Sequence, residues 1–239
     1  MILETKEVFF NFLNYSHESV LLYEKFNNLT FFLEDENAIE AHVKGVPEDQ
    51  RAEMFDYHRR EFQDLMNFMR NQMIVSISTF SEVIIEDFFY CLFVTKPALI
   101  NQLIKQEEYK TQLGFSFEEF IKQPGKDQYM NILARRAAKA HNNGSYKKIF
   151  RRIKDITKLK IDKNIEDTLV EMSEIRNKIV HENIQLVVDN LFIKRFVDAV
   201  DTMTIHLAIK LKENNVKVID SFKYLDRFVD SSEEGVSIK

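Results

Sequence analysis

The stretch EIRNKIVHEN, residues 174–183, puts Arg176, Asn177 and His181 into a segment that otherwise follows the spacing of an amphipathic helix. On a helix turning about 100° per residue, Ile165, Leu169, Met172, Ile175, Ile179 and Val180 form an apolar stripe with Arg176 in its middle. Ser173, Asn177 and His181 border that stripe as a polar wedge, and Asn177 and His181, four apart, share a face. The wedge alone fits an ordinary solvated border. Arg176 does not, because guanidinium keeps its charge in a protein and on an apolar face it needs an anion. One candidate anion is a carboxylate of the run 73–94, MIVSISTFSEVIIEDFFYCLFV, which carries Glu82, Glu86 and Asp87 among apolar residues. The other is a phosphate, held bidentately where the stripe faces a cleft or a second subunit.

The charge distribution favours a polyanion. The chain has a net charge of −5, yet residues 134–163 hold eleven Lys or Arg against Asp155 and Asp162, a local +9 that leaves −14 elsewhere. Such a run is often a solvated face. Here it immediately precedes the polar cluster, which makes Arg135, Arg136, Lys147, Lys148, Arg151 and Arg152 candidate RNA contacts.

The pattern R-N-x-x-x-H, late in a helical chain and followed by another long amphipathic helix, resembles the HEPN family (higher eukaryotes and prokaryotes nucleotide-binding), many members of which carry an R-x4-6-H ribonuclease motif. Arg176 and His181 match the ends of that motif, and Asn177 matches the polar residue that often follows the arginine. STFSEVIIEDFF resembles the family's first core helix, which commonly carries a carboxylate; Glu86 is the first choice and Glu82 the second, with Ser173 beside them as a supporting residue. The resemblance covers roughly 73–212. An extended Glu-x3-Lys that precedes the motif in some members is not matched, since Glu171 and Glu174 precede Arg176 without a lysine.

The resemblance implies metal-independent RNA cleavage without a cofactor, by a homodimer that pools two motifs across its interface. It also implies a role as a toxin or antiviral defence effector with an antitoxin or sensor partner. In that chemistry His181 takes the proton of a ribose 2′-hydroxyl or protonates the departing 5′-oxygen, the general base or acid role that imidazole suits. Arg176 stabilises the charge gained by the phosphorane, and Asn177 orients the histidine or holds a phosphate oxygen. The alternative is a non-catalytic helical module that binds nucleotide, RNA or a protein partner, with Arg176 in an ion pair. A third reading is a purely structural helical protein.

The elements that position these residues are helices throughout. Five Gly and three Pro in 239 residues leave too few turn signals for an all-β fold. The expected architecture is an all-α bundle of long antiparallel helices: an N-terminal helical extension (1–72), a HEPN-like domain (73–229) and a mobile tail (230–239). Within it, 9–33 reads as one long or two short helices followed by a loop after EDEN, and Val46-Pro47-Glu48-Asp49 starts a pattern that runs to 94 without Gly or Pro, as either one very long helix or a helix with a break. Short helices follow at 98–110 and within 114–125. Then come 127–141, ending at HNNG with Gly144 as its cap, a basic helix over 145–154, a polar connection over 155–163, and helices over 164–182 and 190–213. VKVID (216–220) is the one β-branched run.

Other chemistries find little support. Cys91 is a lone cysteine among apolar neighbours, read as a small buried hydrophobe, so neither a disulfide nor a Cys-based zinc site is expected. The six histidines show no H-x3-H pair, and no P-loop, G-x-G-x-x-G or G-x-S-x-G is present. His206 reads as core or interface, and His141 as a helix end. Carboxylates within 73–94 argue against a membrane span, and no signal peptide is evident, which makes the cytoplasm the expected location.

Overall fold

The computed structural model describes residues 8–106, 109, 113, 114, 116–123, 125–220 and 223–226. Among them nine α-helices form an all-α bundle: α1 (Phe12–Glu34), α2 (Glu36–Val43), α3 (Glu48–Thr95), α4 (Ala98–Ile104), α5 (Phe117–Ile121), α6 (Lys126–His141), α7 (Tyr146–Thr157), α8 (Lys163–Glu182) and α9 (Asn190–Glu213). The tail expected at 230–239 lies outside the described residues.

The pattern from 48 to 94 is one unbroken helix of 48 residues, about 72 Å long at 1.5 Å per residue. Pro47 precedes its first turn, where Glu48 and Asp49 complement the helix dipole. The helix serves two environments. Up to Leu65 none of its side chains is buried, whereas from Met66 onward Ile74, Ile77, Ile84, Ile85, Phe88, Phe89, Leu92 and Phe93 fill the core. This second half packs against α6, α8, α9 and α1, and the first half against α2, whose Ile39 and Val43 are buried. Residue 72, where the sequence suggests a division, lies inside α3, so extension and bundle share a helix.

α1 belongs to the bundle. Phe12 and Phe26 enter the main core, the Tyr15 hydroxyl donates to Asp87 Oδ2 on α3 (2.9 Å), and Ser16 Oγ donates to Asp201 Oδ1 on α9 (3.1 Å). Just before α1, Phe10 forms a parallel β-bridge with Val218 of the VKVID run. The Phe10 N–H donates to the Lys217 carbonyl, and the Ile219 N–H to the Phe10 carbonyl, both at 2.9 Å.

Two helix ends differ from the expected spans. α4 stops at Ile104, short of 110. α7 runs three residues past 154, because Ile153 and Thr157 continue its buried face, and it ends where Lys158 adopts a left-handed conformation (φ 63°). The connection from α8 to α9 has no regular secondary structure and is clamped by buried Asn71, whose amide donates to the Leu186 carbonyl (2.8 Å) and accepts from the Leu186 N–H (3.0 Å). Cys91 is buried as expected, and burial pushes its thiol pKa up. Among the described residues no helix is long and apolar enough to cross a membrane.

Candidate functional site

Leu169 and Met172 of α8 are fully buried, and Ile165, Ile175 and Ile179 pack at the core edge, as the apolar stripe requires. Arg176 is half-buried at the rim of this stripe. It lines a cavity of about 450 Å³ with Ser173, Asn177, Glu82 of α3 and the turn 142–147 between α6 and α7. One guanidinium nitrogen, Nη1, donates to Asn177 Oδ1 (3.1 Å). Nε is buried and, among the described residues, has no hydrogen-bond partner.

The intramolecular ion pair that would explain Arg176 is not formed among the described residues. Asp87 accepts from Tyr15 instead, and Glu86 is exposed on neighbouring cavities. Glu82 borders the Arg176 cavity without pairing; its peptide carbonyl accepts from Asn142 Nδ2 (2.8 Å). Nε, shut off from solvent, is an unsatisfied donor. The guanidinium lines the cavity together with the carboxylates of Glu82 and Glu174 and pairs with neither among the described residues, which leaves its charge open to an entering anion.

The far wall of the cavity is a tightly held turn. α6 ends at His141 and Gly144 takes φ 109°, in the left-handed region where a side chain would be strained. Arg152 Nη1 donates to the carbonyls of His141 (3.0 Å) and Asn143, capping the end of α6. Tyr146 is buried, its hydroxyl bonded to Ser81 Oγ and the Ser78 carbonyl of α3; burial pushes its pKa up. α7 therefore starts at a fixed point beside the cavity. Its N-cap, Ser145, makes no side-chain capping bond, so the positive end of the helix dipole and Lys147 both lie at the cavity wall.

His181 occupies a different surface. It is exposed in the last turn of α8 and does not line the Arg176 cavity. Five residues along a helix correspond to about 140° of rotation and 7.5 Å of rise, so the two side chains of one subunit diverge. The basic candidates also divide. Arg136 forms a bidentate pair with Glu119 (2.8 and 2.7 Å), which holds the Glu119 carboxyl below its usual pKa. Arg135 stacks over the Tyr90 ring at 4.3 Å. Arg152 is occupied with carbonyls, whereas Lys147, Lys148 and Arg151 are exposed and form no ion pair among the described residues.

A second cavity, about 340 Å³, adjoins the first and shares Glu82 and Asn142 with it. Tyr15, Glu86, Asp87, Tyr90 and Arg135 line it. Burial raises the Asp87 pKa against the opposing hydrogen bond from Tyr15, and burial beside Asp87 raises that of the phenol. Asn142 Oδ1, at the junction, is buried and has no partner among the described residues. Sequence reasoning took HNNG as a helix stop and so missed Asn142; the doubled asparagine, more than a stop needs, was the available signal. Tyr15 carried no sequence signal. Among the described residues no cluster of His, Cys, Asp or Glu is arranged to hold a metal ion. No family model, curated protein or solved structure matches the chain.

Proposed function

We propose that this protein is a metal-independent endoribonuclease of the HEPN type. The observation that carries the reading is Arg176: a half-buried guanidinium that pairs with no carboxylate among the described residues and lines a cavity that also receives Lys147 and the N-terminus of α7. Such a wall suits one phosphate of an RNA backbone. His181 removes the 2′-hydroxyl proton, the 2′-oxygen attacks phosphorus, and the bond to the 5′-oxygen breaks as that oxygen takes up a proton. The products are a 2′,3′-cyclic phosphate and a 5′-hydroxyl. Arg176 neutralises the charge gained by the phosphorane, and Asn177, bonded to Arg176, keeps the guanidinium oriented. Because His181 lies off the Arg176 cavity, the active unit in this reading is a homodimer. Val180 on α8, Val187 on the α8–α9 connection and Leu191 at the start of α9 (46, 86 and 74% exposed) offer apolar surface for a second copy.

The purified chain is expected to cut RNA in EDTA, and His181→Ala to abolish the activity. Cleavage that persists in that variant, or that requires a divalent metal, would sink the mechanism. The separation of His181 from the cavity also favours a second reading, a non-catalytic module that binds RNA through the Arg176 wall. Salt-dependent binding without any cutting would select it.

A further inference from the structure

The cavity between α1, α3 and α6 has a lining unsuited to phosphate. Glu82, Glu86 and Asp87 line it, with Arg135 the one cation among its described lining residues, and that guanidinium sits over the Tyr90 ring at 4.3 Å. A nucleotide spanning both cavities would place its phosphate at Arg176 and Lys147, and its uncharged base among the carboxylates. The Arg135–Tyr90 stack offers the planar face on which bases settle. At about 340 Å³ the cavity falls at the small end of the range for small-molecule sites.

The polar chemistry selects among bases. Asp87 is half-buried and its Oδ2 already accepts from the Tyr15 hydroxyl, which fixes the carboxylate and, among the described residues, leaves Oδ1 and one Oδ2 lone pair unused. Two acceptors side by side match two adjacent N–H donors. Only guanine presents these, N1–H and N2–H, on its pairing edge; in adenine and cytosine the amino group adjoins an acceptor nitrogen, and in uracil the single N–H lies between two carbonyls. We propose that this cavity is a guanine subsite, in which Asp87, oriented by Tyr15, accepts from N1–H and N2–H while the base stacks on the Arg135–Tyr90 pair. The proposal rests on the ribonuclease reading for RNA as the source of the base, and it gives α1 a role in the site.

The test is titration of the full chain with GMP, AMP, CMP, UMP and IMP, which share one phosphate and differ in the base. GMP is expected to bind at least about tenfold more tightly than the others, IMP included, since losing the 2-amino group removes one hydrogen bond to a charged acceptor. Asp87→Asn should erase the preference; the GMP–IMP contrast stands even if that variant fails to fold. Equal affinity for all five nucleotides, or no binding, overturns the proposal, as does a GMP preference retained in folded Asp87→Asn protein. Cleavage mapping separates the two readings. Cuts beside guanines would support both. GMP selectivity in a protein that never cuts RNA keeps the subsite, assigns it to free guanine nucleotide and ends the nuclease reading. Cutting abolished by His181→Ala but indifferent to guanine overturns the subsite alone.

Discussion

Arg152 and Arg176 both reach the turn between α6 and α7, from different helices, and the protein uses them in opposite ways. Arg152 Nη1 donates to the carbonyls of His141 and Asn143, so its charge serves the fold. Arg176 meets the same turn across a cavity and, among the described residues, bonds only to its neighbour Asn177, with the buried Nε left unsatisfied. The first arginine builds the wall that the second faces. A cation spent on backbone carbonyls is scaffold, and one that lines a cavity without a carboxylate partner is available to a ligand.

The largest expected effect separates the two arginines by activity. Arg176→Ala should lower RNA cleavage by about 10²- to 10³-fold, the range for losing one donor aimed at transition-state charge. The unfolding free energy of Arg176→Met should not fall, because removing an unsatisfied buried donor has no stability cost. Single-turnover cleavage and urea unfolding measure the two halves, and a marked loss of stability would make Arg176 scaffold after all.

Next is the scaffold side of the turn. His141 is buried against Phe89, Phe93 and Tyr109, and burial, with Arg152 nearby, pulls its pKa down to about 4. The unfolded state binds that proton near pH 6.5 and the folded state only near 4. Stability from this group is therefore complete above about pH 6.5 and falls as the pH drops towards 4, by about 3 kcal/mol in all. Urea melts of wild type and His141→Leu across that window should diverge, with the variant losing less stability as the pH drops.

Arg152→Ala follows, with a predicted loss of about 1–3 kcal/mol in the same melts, since the carbonyls ending α6 lose a charged donor. Its RNA affinity per folded molecule should change little beside that of Lys147→Ala. For Lys147→Ala the expectation is the smallest: unchanged stability, and a salt dependence of RNA binding whose log–log slope shrinks by about 1, the value of a single phosphate contact. An unaltered slope would place Lys147 outside the interface.

Much of the fold was legible in the sequence. The boundaries of α3, α6, α8 and α9 follow from apolar periodicity and from local stop signals such as Lys96-Pro97 and Gly144. Periodicity left open whether 48–94 was one very long helix or held a break, because the change from exposed to buried surroundings alters which face is covered and leaves no mark on backbone propensity. At the site, the position of Arg176 on an apolar stripe emerged from the wheel, and the structure brings Ser173, Asn177 and Glu82 to the same cavity. Glu86 and His181 lie elsewhere. Placing Arg176 and His181 on one helix already implied their divergence, since the rotation between positions five apart is fixed by helix geometry.

By itself, the sequence determined what is local: helices, their ends, the amphipathic stripe, and the density of positive charge over residues 134–163. Tertiary structure decided which charges remain usable. Arg136 finds Glu119 on α5, Arg152 finds the end of α6, Asp87 finds Tyr15 from α1, and Arg176 finds no anion among the described residues. Pairings between residues far apart in the chain depend on how helices pack, and no spacing along a single helix encodes them.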